Sequence, residues 1–176
     1  MNLFSQKSVA EFVGVIAIVA SLMFVGMQLR QSQKIALAEG FSMMFSTQIE
    51  VSNSIKEHVD LWRRGTAGEE LSEDEAAVFG ILVAQVNVSA VMADVHLRQI
   101  GGADGAEFTR LGFASFLYQN PGARKVWLDR ERNLSKYRSA LIDDYSGHPW
   151  VDGIQSYLAE LDQKNIPLEK HSYVDW

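Results

Sequence analysis

The stretch FVGVIAIVASLMFVGMQL, Phe12 to Leu29, runs for eighteen residues without a charge and stops at Arg30. At about 1.5 Å per residue, a helix of that length covers roughly 27 Å, close to the ~30 Å hydrocarbon core of a bilayer. Its Val, Ile, Leu, Phe and Met side chains surround the helix axis and leave no polar face of the kind a surface helix turns to water. Ser21 can return its hydroxyl to the carbonyl one turn back. Gly14 and Gly26 are ordinary components of spanning helices.

Two other readings compete with a signal-anchor. A cleaved export signal has one argument, the small-x-small triplet Ala36-Leu37-Ala38, but Arg30 and Lys34 lie between the apolar run and that triplet, where a cleavage region is short and uncharged. A buried core helix suits apolar runs of about 10 to 14 residues better than this one. The stretch is therefore expected to be a single membrane span. Lys7, set against Glu11, precedes it and Arg30 with Lys34 follows it, which weakly favours a cytoplasmic carboxy-terminal domain. Gly14, Ala17, Ala20 and Ser21 are small enough for the span to pack closely on another helix, including its own copy.

Outward from the span, composition narrows the function classes. A chain of 176 residues has room for one span and one small domain with a core of its own. Sixteen Lys and Arg against 22 Asp and Glu give a net charge of −6, which disfavours nucleic acid, since phosphate affinity comes from clustered cations displacing counterions. Without cysteine there is no disulfide, thiolate metal site or thiol nucleophile. Only three prolines interrupt long stretches without turn clusters, so the chain is expected to be all-α.

After Arg30 no Pro or Gly pair breaks the pattern, and the helix can run on. Phe41, Met44, Phe45, Val51, Ile55, Val59 and Trp62 fall mostly three and four apart, one face of a second helical stretch that ends at Arg63-Arg64-Gly65. Ser72-Glu73-Asp74-Glu75 is a capping box; a calcium loop would need alternating ligands and a glycine that this acidic run lacks. From Ala76 to Ala93 runs a second uncharged eighteen-residue stretch. Gln85 and Asn87 near its middle favour a core helix of a bundle over a second span, because amides in lipid need partners. Gly101-Gly102 ends it, and Asp104 is placed to cap the next helix. Asn120-Pro121-Gly122 stops that helix and starts another, with Asn120 as cap and Pro121 at the first position. Gly147-His148-Pro149 closes the helix containing Trp127. The tail from Asn165 ends on Trp176, and its aromatic terminus is expected to pack back on the bundle.

The search for chemistry is short. His58, His96, His148 and His171 are scattered, with no two at the one-turn spacing of a helical metal pair, so no metal or cofactor is expected. Gly101 to Gly105 is glycine-rich but follows a helix and has no lysine partner. Asp143 and Asp144 are adjacent and diverge. An enzyme would have to use His96, Glu107 or Asp94. A binding module would have to enclose an apolar ligand, a lipid or quinone, near Phe79, Gln85, Asn87, Phe113 and Trp127.

Three local patterns combine: the span running into Gln28-Leu29-Arg30-Gln31, the Leu61-Trp62-Arg63-Arg64-Gly65 turn leading to Leu71-Ser72-x-x-Glu75, and Gln99-x-Gly101 followed by Asn120-Pro121-Gly122-x-Arg124-x-x-Trp127. Together they resemble a family of uncharacterised bacterial membrane proteins with one amino-terminal transmembrane helix and a small all-helical domain. The resemblance covers residues 9 to 145. It departs at Ser32-Gln33, where that family continues with Asn-Thr, and has no counterpart after Trp150. It implies an inner-membrane protein and transfers no catalytic residues.

The combined expectation is a membrane anchor at residues 1–34, an antiparallel bundle of four to five helices at 35–163, and a tail at 164–176. The expected role is an accessory or interaction subunit, not an enzyme, with the lipid bilayer and other membrane subunits or a second copy as partners. Gln85, Asn87 and Trp127 are the candidate buried polar or ligand-lining positions.

Overall fold

A computed structural model of the chain describes the backbone of residues 3–101, 103–141 and 148–167, and the side chains of 11–99, 105–140 and 148–167. These residues form six α-helices: α1 (Leu3–Glu57), α2 (Val59–Ala67), α3 (Glu73–Gly101), α4 (Ala103–Gln119), α5 (Pro121–Leu141) and α6 (Pro149–Lys164), with no strand among the described residues. The all-helical class is as expected; the helix count is six, not four to five. The boundaries also differ on either side of His58. The apolar pattern from Phe41 has no start of its own and continues α1, which is 55 residues long. At His58 the backbone leaves helical geometry (φ −120°, ψ 33°), and a separate α2 begins.

Two compact units follow one another along the chain, Met1–Met43 and Met44–Trp176. In the first, the side chains from Phe12 to Leu29 are exposed throughout. In the second, α4 packs on α3 and α6, and α2 packs on α3 and α5. The core gathers Trp62, Phe79, Leu82, Val83, Phe113, Leu117, Trp127, Trp150, Ile154 and Leu158. Burying side chains of this size contributes roughly 1.5–3 kcal/mol each and is the main force closing the bundle.

Local signals set the helix ends. Glu75 N–H donates to Ser72 Oγ at 3.3 Å and Ser72 N–H to Glu75 Oε2 at 3.0 Å, so the capping box forms as read. Helix α2 runs past Gly65 and stops at Gly68, whose φ of 81° is the left-handed conformation that glycine adopts without cost. Gly65 has a different task. Gly122 of α5 lies so close that a Cβ on it would stand 1.8 Å from the Gly65 carbonyl oxygen, and a Cβ on Gly65 would stand 2.5 Å from the Phe79 ring. The α2–α5 crossing is backbone against backbone, which only glycine permits.

The Asn120–Pro121 junction forms as read, with α5 starting at Pro121: the Asn120 backbone carbonyl accepts from Arg124 N–H at 2.9 Å, and its side chain also donates back to the Phe116 carbonyl of α4 at 2.8 Å. His148 caps α6, accepting at Nδ1 from Trp150 N–H at 3.3 Å, with Pro149 in the first turn. The side chain of Asp104, the segment 142–147 with Asp143, Asp144 and Gly147, and the tail from 168 with His171 and Trp176 lie outside the described residues. The start of the tail is tied to the bundle: Tyr118 Oη donates to the Ile166 carbonyl at 2.8 Å.

Candidate functional site

Two helices, Glu11–Glu57 within α1 and Glu73–Gln99 within α3, are long and apolar enough to cross a membrane. They differ in what they do inside the chain. None of the apolar window of α1 is buried, whereas 28% of that of α3 is. In α1 the small residues Gly14, Ala17, Ala20 and Ser21 are all exposed, and a Cβ on Gly14 would meet nothing within 4 Å. That face is open to a bilayer or to another helix.

On α3 the mid-helix amides part company. Asn87 is buried, and its Oδ1 accepts from two indoles at once, Trp127 Nε1 of α5 and Trp150 Nε1 of α6, each at 3.1 Å. A carbonyl oxygen has two lone pairs, and both are used. Phe113 of α4 lies beside both indoles, edge-on to Trp127 with centroids 6.1 Å apart and 5.5 Å from Trp150. One oxygen thus joins three helices, with the fourth packed on the rings. Of the three residues singled out in sequence, Asn87 and Trp127 meet directly. Gln85 does not join them; it is half-buried, and its Oε1 has no hydrogen-bond partner among the described residues.

The remaining buried charge is bound up in structure. Asp94, buried on α3, accepts from Arg98 Nε at 2.8 Å and from Arg110 Nε of α4 at 3.0 Å. Glu107 accepts from Tyr157 Oη at 2.8 Å; partial burial of the phenol, then that bond, raise the Tyr157 pKa. Asp94 and Glu107 therefore each answer to partners on neighbouring helices and do not converge on one reacting position. Arg64 pairs with Glu75, and its hydrogen bond, followed by the Ser72 backbone bond, draws the Glu75 carboxyl down to about 2. Arg124 holds both oxygens of Asp162, at 2.9 and 2.6 Å, and lowers that carboxyl too. Among the described residues no group of three or more His, Asp or Glu is placed to hold a metal.

Two open surface grooves among the described residues measure about 480 and 370 Å³. The larger lies between α5 and α6 beside Glu131, Arg132, Arg138 and Asp152, the smaller between α3 and the start of α6 beside Val91, Arg98 and Trp150. Neither is lined by Phe79, Gln85, Asn87, Phe113 or Trp127.

Sequence reasoning missed Trp150 and the Asp94–Arg110 pair. Their partners stand 63 and 16 residues away, and no spacing rule reaches across helices that far. Of the motifs carrying the resemblance, the turn at Gly65 and the segment from Asn120 to Trp127 are in contact, and their residues hold neighbouring helices. Gly65 touches Gly122, Arg64 pairs with Glu75, Arg124 with Asp162, and Trp127 with Asn87. Each of those residues has a packing role. Comparison of the chain with models of known families, with curated proteins and with solved structures finds no match, so the resemblance rests on these motifs alone.

Proposed function

We propose that the chain is a single-pass protein of the bacterial inner membrane whose span, Phe12 to Leu29, holds a helical domain at the cytoplasmic surface as an accessory or interaction subunit without chemistry of its own. One observation carries the proposal: the large apolar side chains of that uncharged stretch are exposed, Leu22 by 66%, Met23 by 68% and Phe24 by 61%. Leaving such a side chain in water forfeits roughly 1.5–3 kcal/mol, and a bilayer covers them all without a partner surface. Arg30 and Lys34 at the carboxy-terminal end support the orientation. The ion pairs and the shared amide of the domain support the subunit reading, because they are spent on holding helices together.

Alkaline carbonate extraction of native membranes tests the anchor. The wild-type chain stays with the membranes, and Val19→Arg, costing roughly 2.5–3.5 kcal/mol at mid-span, shifts it to the wash. Release of the wild type by carbonate refutes the anchor. Gentle detergent extraction followed by identification of co-purifying chains tests the interaction role. Ala17→Leu and Ser21→Leu are expected to abolish co-purification of a membrane partner; unchanged recovery counts against the span as an interface.

A further inference from the structure

Helix α3 has a second patterned face. Its core side is Phe79, Leu82, Val83, Asn87 and Asp94, all buried. Alongside it, apolar residues recur at alternating spacings of four and three, from Ala77 to Val95; Ala84 and Val91 on the core-side edge of this stripe are half-buried, and Val91 also touches the core. Ile81, Val88 and Val95, seven apart, are 59%, 47% and 51% exposed. A seven-residue repeat drifts only about 20° per heptad on a straight helix, so the stripe stays on one side of α3 for its length. The outward face of a helix that meets only water is polar. The outward face of α5 is so, with Lys125, Asp129, Arg130, Arg132 and Lys136 exposed.

We propose that this seam pairs antiparallel with α3 of a second copy of the chain. Ile81, Val88 and Val95 occupy the a positions of a heptad, and Ala77, Ala84 and Val91 the d positions. Antiparallel pairing sets a residues against d residues, and one register matches size and charge together. Val88 lies against Ala84 of the second copy, Ile81 against Val91 and Val95 against Ala77. In that same register Asp74 of each copy falls opposite Arg98 of the other. Asp74 is exposed in the first turn of α3. Arg98 gives only its Nε to Asp94, and its side chain is 41% exposed, so its terminal nitrogens can reach a second carboxylate. Gly80, where a Cβ would meet nothing within 4 Å, leaves room for Met92 of the second copy. A parallel pairing would instead place Asp74 on Asp74 and Arg98 on Arg98, with like charges facing at both ends.

The pairing names the partner within the proposed interaction role, but it rests on α3 and not on the anchor. The absence of native cysteine makes single thiols clean reporters. Full-length chains carrying different tags, one with Ala84→Cys and one with Val88→Cys, are co-expressed and mildly oxidised in their native membranes. The mixed disulfide is expected to dominate over both self-linked products. Val95→Glu in both chains, a substitution at a residue already exposed in the single chain, lowers its yield by more than about tenfold, because a carboxylate would be buried in an apolar seam. Dominant self-linked products overturn the antiparallel register. No cross-link overturns the dimer, whether or not a depth-sensitive probe on Val88→Cys then reports lipid over this face. Either failure leaves carbonate resistance of the wild type, and so the anchor, untouched.

Discussion

Replacing Asn87 by leucine tests how the bundle is held together. The two side chains are nearly isosteric, so the change removes the shared acceptor without opening a large cavity. It strands the indole N–H groups of Trp127 and Trp150, which are 1% and 3% exposed and have been donating to Asn87 Oδ1 at 3.1 Å. A buried donor left without a partner costs ~1–3 kcal/mol, so two cost ~2–6 kcal/mol. The added methyl groups recover roughly 1–2 kcal/mol of apolar burial. Taken at mid-range, the net loss is about 2.5 kcal/mol, a large share of the 5–15 kcal/mol typical of a domain. Denaturant unfolding of the full chain in mild detergent, followed by far-ultraviolet circular dichroism, reads it as a fall in midpoint at unchanged slope. The control is the same substitution in a Trp127→Phe, Trp150→Phe background. With no indole N–H left to strand, Asn87→Leu should there be close to neutral or stabilising. A loss below about 0.5 kcal/mol in the native background, or an equal loss in both, would refute the reasoning.

Gly122→Ala is expected to destabilise the bundle by about 3 kcal/mol or more, because its Cβ meets the Gly65 carbonyl oxygen at 1.8 Å and helix backbones cannot step aside as side chains do; a midpoint shift in the same assay checks it. Acidification should weaken the fold in a defined window. The folded Glu75 carboxyl is drawn from its ordinary 4.5 to about 2, so its contribution is complete above about 4.5 and is lost as pH falls towards 2. Glu75→Gln should therefore lower stability at neutral pH and flatten this acid limb, while the lowered Asp162 carboxyl still contributes a dependence of the same sign.

What the sequence makes legible is local. The Ser72–Glu75 capping box forms because both halves lie within one turn. Asn87 stands out as an amide in an apolar run, and its burial follows from the same reasoning that assigns α3 to a bundle. The break at His58 is invisible because the apolar periodicity runs through it and neither Pro nor Gly marks it. Asn120 reads as the residue that opens α5 and stands there, but the bond its amide donates back to Phe116 in the preceding helix is not something that spacing shows. Trp150 is illegible as the second donor because its partner is 63 residues away. Gln85, two residues from Asn87, shows the limit of pattern reading: a helix turns about 200° between them, so only one of the two amides faces the indoles.

The shared amide also has a consequence for the order of synthesis. Sixty-three residues separate Asn87 from Trp150, and at ~5–20 residues per second a ribosome needs roughly 3–13 s to add them. Throughout that interval the growing chain already holds the α3 amide, while Trp150, Ile154 and Leu158, the buried contribution of α6, are still to come. The central acceptor can gain its second donor only after α6 has been made, long after the apolar segment at Phe12.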